Sequence, residues 1–127
     1  MQHERHYTRA EANAARPWVA ARVKLLREAH NRLRTPPCRA ALARVDGQHG
    51  GGWPGHATAR AAAQHIVATQ ELSGVDVVVR DPIRGLVDFP ALRDGAEVYL
   101  CWLVDEDEVA YWHAPEAGFA GRRPLEG

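Results

Sequence analysis

Gly74 separates two hydrophobic periods that no single layer of structure can satisfy. Before it, apolar residues recur at every third and fourth position, the spacing of an amphipathic helix. After it they recur at every second position and become β-branched, as in Val75-Asp76-Val77-Val78-Val79. The chain therefore reads as an α+β domain, an N-terminal helical hairpin packed on a small sheet of three or four antiparallel strands. At 127 residues it is expected to be one domain able to bury about two-thirds of its unfolded surface without a disulfide or structural metal. Residues 7–74 form the helical part and residues 75–127 the β-rich part, and residues 1–6 are expected to be flexible.

The turn and cap signals divide each part further. Thr8-Arg9-Ala10-Glu11 has the form of a capping box, so a helix should begin at Arg9. Its apolar stripe is Trp18, Ala21, Leu25, Ala29 and Leu33, and Pro36-Pro37 ends it. Pro17 cannot donate to the Asn13 carbonyl and predicts a kink, leaving Glu11 and Asn13 near irregular backbone. A short helical piece from Cys38 to Val45 and a loop over residues 46–56 follow. The loop is rich in glycine, yet it has neither GxGxxG nor GK[ST], so no nucleotide cofactor is indicated. Residues 57–73 make the second helix, with Ala61, His65, Ala68 and Leu72 on one stripe and Gly74 as its stop. Val75–Val79 is then a strand, Asp81-Pro82 a turn, and Leu86–Phe89 a second strand. Glu97–Leu103 and Glu108–His113 form a hairpin around Asp105-Glu106-Asp107.

Charge narrows the classes of partner. The chain is neutral overall, but residues 1–45 carry ten basic and three acidic side chains, a net +7, and the remainder six and thirteen, a net −7. A basic helix beside an acidic sheet, or a self-complementary homodimer, accounts for this pattern. A nucleic-acid surface is disfavoured, because the basic stretch has no interleaved aromatic residue beyond Trp18. Cys38 and Cys101 make no CxxC pair, and no signal peptide or long apolar run is present, so a cytoplasmic protein with reduced thiols and no membrane association is expected. Arginine supplies fifteen of the sixteen basic residues, the usage of a GC-rich bacterial genome.

Leu86-Val87-Asp88-Phe89-Pro90 raises the question of function. An unpaired carboxylate in an apolar strand costs roughly several kcal/mol in desolvation, so Asp88 requires a cation, a metal or several donors. Arg84, Arg93, Arg122, His113 and the amides after Pro90 are the available partners. If the last hairpin turns around Glu106, Cys101 lies opposite Tyr111 and Tyr99 opposite His113, and these four line one surface. The structural reading is an ion pair of Asp88 with Arg122, or a cap on the amides of Ala91 and Leu92. The chemical reading is a site with Asp88, His113 and Arg122 as catalytic residues. In one form His113 and Asp88, with Glu108 or Glu11, ligate a single iron or zinc ion. In the other, His113 carries protons without a metal and Arg122 clamps an anionic substrate. No HxH or HExxH spacing is present, and Glu108 and His113 occupy opposite strand faces. Cys101 reads as a small core residue, since no base at fixed spacing accompanies it. The glycines of Gly118-Phe119-Ala120-Gly121-Arg122-Arg123 allow the tail to fold back over the sheet or to present two guanidinium groups. Met1-Gln2-His3 has the nitrogen set of a Cu(II) or Ni(II) chelate.

Three stretches carry a resemblance. Tyr7-Thr8-x-x-Glu11-Ala12-Asn13, Gly85-Leu86-Val87-Asp88-Phe89-Pro90-Ala91, and Val98-x-Leu100-Cys101-Trp102 with Glu108-x-x-Tyr111-Trp112-His113 and Gly118-Phe119-x-Gly121-Arg122 resemble the prokaryotic family called domain of unknown function 2203. The resemblance implies a small bacterial or archaeal cytoplasmic protein with a helical hairpin before a compact β region, and no established activity. The chain departs from the family in its middle, where alanines, Pro36-Pro37 and the glycine loop replace long charge-rich helices. The functional expectation is a metal-binding enzyme, iron or zinc, acting on a small anionic molecule. The alternative is a non-catalytic dimeric interaction module built on the helical hairpin.

Overall fold

The computed structural model describes residues 2–36, 39–40 and 53–126. The expected helical piece at Cys38–Val45 and the loop at 46–52 lie essentially outside them. Among the described residues the long helices α1 (Arg9–Leu33) and α2 (Trp53–Gly74) precede the strands β1 (Val78–Asp81), β2 (Leu86–Arg93), β3 (Ala96–Leu103), β4 (Tyr111–His113) and β5 (Arg123–Pro124). The sheet is antiparallel throughout, in the order β1-β2-β3-β4-β5. The α+β class is as expected, with one strand more than the upper count. The extra strand is the tail, whose Arg123 pairs with Trp112 after the chain turns back at Gly118.

Thr8 closes the predicted capping box: its hydroxyl accepts from the Glu11 amide at 3.0 Å, and Glu11 accepts from the Thr8 amide at 2.9 Å. Helix α1 runs without interruption through Pro17. Its buried stripe is Ala12, Val19, Val23, Leu26 and Ala29, which shares Ala29 with the expected stripe but puts Val19 and Leu26 inward in place of Trp18 and Leu25, which are exposed. Stiff β-branched valines enter the core instead, and Arg22 covers the Trp18 ring at 3.9 Å. Helix α2 begins at Trp53, so residues 53–56 are helical where a loop was expected. Pro54 is tolerated because a first-turn amide has no intrahelical partner to lose. Ala61, Ala68 and Leu72 are buried as predicted, and His65 is half-buried.

The strand bounds differ from expectation for local reasons. Strand β1 starts at Val78 because the chain leaves α2 through a turn in which Asp76 takes φ 62°. Strand β2 runs on to Arg93, past Pro90, and closes onto β3 through Asp94-Gly95, both at positive φ, as a two-residue hairpin needs. Pro90 removes no ladder bond: its carbonyl accepts from the Tyr7 amide at 2.7 Å, so its nitrogen also faces away from β3. Strand β4 is short because Asn13 grips the backbone of Val109, accepting from its amide at 2.7 Å and donating to its carbonyl at 3.3 Å.

One face of the sheet, with Val87, Phe89, Ala91, Val98, Leu100 and Trp102, packs against the helices and forms the core. The alternate residues point the other way. Leu86, Asp88, Tyr99, Cys101 and His113 are buried on that second face, which positions the site. Residues 2–7 make an N-terminal strap. Glu97 accepts from the Gln2 and His3 amides and from His6, and His3 meets the Tyr99 hydroxyl at 2.8 Å. These contacts stand where a free tail was expected, and they engage two amides that a Cu(II) or Ni(II) chelate would require.

Candidate metal centre

Antiparallel register builds the site. Asp88 pairs with Cys101, while Cys101 pairs with Tyr111 and Tyr99 with His113; the last two pairings are those read from the sequence. Asp88 and Cys101 are thus direct neighbours, and His113 reaches diagonally over β3. Its Nε2 lies 2.9 Å from Asp88 Oδ2. One donor atom each from Asp88, Cys101 and His113 falls within 4.8 Å of the others, and all three residues are buried.

Asp88 is 1% exposed and meets Arg80 and His113 at one oxygen. Arg80 Nε donates to Oδ2 at 2.8 Å, beside His113 Nε2. The other oxygen, Oδ1, is buried without a hydrogen-bond partner among the described residues. Arg80 was missed in the sequence because the strand was ended at Val79. A register shift between Val79 and Asp81 carries it toward Asp88, two residues past Val78 on the same face. Its place follows from the pairing of Val78 with Asp88, which no local signal in the sequence gives.

The ring nitrogens of His113 have distinct roles. Nδ1 lies 2.7 Å from the Ala114 carbonyl oxygen, which can only accept, so Nδ1 carries a proton. A neutral ring then presents a lone pair to Asp88 at Nε2. Two acceptors at 2.9 Å require something positive between them, a proton or a metal ion. Locking Nδ1–H on a carbonyl is also how proteins orient a metal-binding imidazole.

Cys101 was read as packing alone, and the structure brings it into the cluster. Burial, with Asp88 beside it, pushes its thiol up to about 12. It is no free nucleophile, and His113 cannot activate it, since one ring nitrogen is held by Ala114 and the other by Asp88. A buried thiol of this kind can serve as a ligand only when a bound cation displaces its proton.

The remaining predicted residues are placed elsewhere or in a different role. Arg122 does not reach Asp88; it forms a two-point pair with Glu106, at 3.1 and 2.7 Å, and stacks on Tyr111. It still contacts Cys101 and is one of the charges acting on the thiol. Glu11 is engaged in the helix cap and Glu108 pairs with Arg9 at 3.0 Å, so neither joins the cluster. Arg84 and Arg93 lie over Phe119 and Trp112. The amides of Ala91 and Leu92 belong to residues paired in the β2–β3 ladder and are not a cap for Asp88.

Asp88, Cys101 and His113 line a cavity of about 250 Å³. Leu86, Pro115 and Phe119 give it apolar walls, and the exposed Arg80 and Glu116 complete it. No helix among the described residues is long and apolar enough to cross a membrane.

Fold and site together define a class: a small two-layer α+β protein with a carboxylate, a thiol and an imidazole converging under a cavity on the sheet face away from the helices. The chain belongs to the family described as "Uncharacterized conserved protein (DUF2203)", which matches residues 5–125. No curated protein and no solved structure matches it.

Proposed function

We propose that the chain is a metal-dependent enzyme in which Asp88, Cys101 and His113 hold one zinc or iron ion at the base of the cavity. The observation that carries this reading is the buried, unpartnered Asp88 Oδ1 within a set of three donor types gathered inside 4.8 Å. A thiolate and an imidazole favour zinc or iron over magnesium. Three protein ligands leave a fourth position for water or substrate, the pattern of catalytic zinc; structural zinc is closed by four. The ion would supply a Lewis acid, or an activated water, toward a small anionic molecule. His113 presents Nε2, Ala114 fixes its ring, and Arg80 holds the Asp88 carboxylate and adds positive charge at the cavity.

Elemental analysis of untagged protein tests this. About one zinc or iron per chain is expected, with a fall in affinity of at least roughly 10- to 100-fold in Cys101→Ser and His113→Gln. Wild-type protein that stays metal-free after incubation with either ion, while folded by circular dichroism, defeats the reading.

A second reading is a non-catalytic homodimer formed through the hairpin. Leu25 of α1 and Ile66 and Val67 of α2 are 42%, 54% and 51% exposed, an apolar surface that a second copy would cover. Sedimentation equilibrium decides it: a monomer at high protein concentration removes this alternative.

A further inference from the structure

We infer that the ligand of this cavity is a small monocarboxylate, and that Arg80, not Arg122, receives it. The inference rests on the metal reading above and specifies the substrate class of that site.

Charge comes first. A divalent ion, the Arg80 guanidinium, the Asp88 carboxylate, a Cys101 thiolate and a neutral His113 sum to a single positive charge around the ion; Glu116, the remaining charged residue of the lining, is exposed, where water screens it. One negative charge balances that sum, and a dianion would overshoot it.

Arg122 cannot provide this charge, because Glu106 occupies its fork at two points. Arg80 gives Nε to Asp88, has Tyr99 as its other side-chain partner, and keeps its side chain 41% exposed, so its fork is not closed by a second carboxylate as that of Arg122 is. The guanidinium also lies over the Tyr99 ring at 4.9 Å, which fixes its plane while keeping it accessible. A planar fork held in this way matches a carboxylate at two points.

Size and wall chemistry set the remainder of the ligand. At the ~30 Å³ that a water molecule occupies in the liquid, the cavity of about 250 Å³ has room for about eight heavy atoms. Leu86, Pro115 and Phe119 make the walls apolar. A carboxylate on a short hydrocarbon, seated between Arg80 and the open position of the ion, fits both conditions.

The test uses the full chain loaded with Co(II), whose visible spectrum reports changes at the ion, and titrates propionate, inorganic phosphate and propylamine. Propionate is expected to change the spectrum and saturate, to bind at least tenfold more tightly than phosphate, and to leave propylamine without effect. Arg80→Gln, compared with wild type at saturating Co(II), is expected to weaken propionate about 10- to 100-fold, the loss of a charged hydrogen-bonded pair. Arg80→Lys should recover part of it. Cobalt bound at one per chain with no response to propionate, equal propionate affinity in Arg80→Gln, or preference for phosphate each overturns the carboxylate inference and leaves the metal reading standing. Failure to bind cobalt removes both.

Discussion

Asp88 shows how a single residue commits its surroundings. Its carboxylate is 1% exposed and answers both Arg80 and His113, so Asp88→Ala strands a buried imidazole and half of an ion pair. A loss of about 3–5 kcal/mol in metal-free protein is expected from urea unfolding. Cys101 makes the opposite prediction. With its thiol pushed up to about 12 by burial and Asp88, it should resist a thiol reagent in native Cys38→Ser protein and react fully once unfolded. Gly85 is a purely steric case. At φ 72° an added Cβ would collide with the Val104 side chain, so Gly85→Ala should cost about 2–4 kcal/mol by the same measurement.

The N-terminal strap is the element whose stability depends most visibly on pH. Burial alone would raise the Glu97 carboxyl, but donors from His6, Gln2 and His3 outweigh it and hold it at about 2. Glu97 therefore titrates lower in the folded chain than in the unfolded one. The stability it adds is complete above about pH 4.5 and is lost as pH falls toward 2. Unfolding curves of wild type and Glu97→Gln should accordingly differ at pH 6 and converge near pH 2. Helix α1 offers a smaller test, since Thr8→Ala removes one half of the capping box and should cost about 1 kcal/mol. The strap joins residues distant in sequence from the cluster to the strands that carry it. Tyr99, which His3 contacts, also stacks against His113 at 5.6 Å.

At the scale of the molecule, binding and folding share one equilibrium. An ion that binds the folded chain alone stabilises it, by about 2.7 kcal/mol at a hundred times its dissociation constant. Chelation should lower the melting temperature of the loaded wild type and leave Cys101→Ser unmoved, as differential scanning calorimetry would register. The layered architecture lets one sheet serve two ends. Its core face secures the helices, and its other face is free to bury polar groups under the returning tail.

Much of this was legible without coordinates. The change of period at Gly74 determines helices before strands, Thr8 and Glu11 mark the first cap, and alternation in the last hairpin sets Tyr99 opposite His113 and Cys101 opposite Tyr111. Such features depend on residues close in sequence, where local sterics and two-residue alternation suffice. Asp94-Gly95 was also readable, as a hairpin signal, and would have extended both flanking strands. What the sequence left open depended on which distant groups meet. Arg122 had a carboxylate in reach and took Glu106; Arg80 took Asp88 because a bulge turned it there; Cys101 became a candidate ligand because register set it beside Asp88. Several arginines compete for each acid, and hydrophobic pattern carries no information about the winner. Only the packing of five strands, with the strap and tail drawn across one face, decided it.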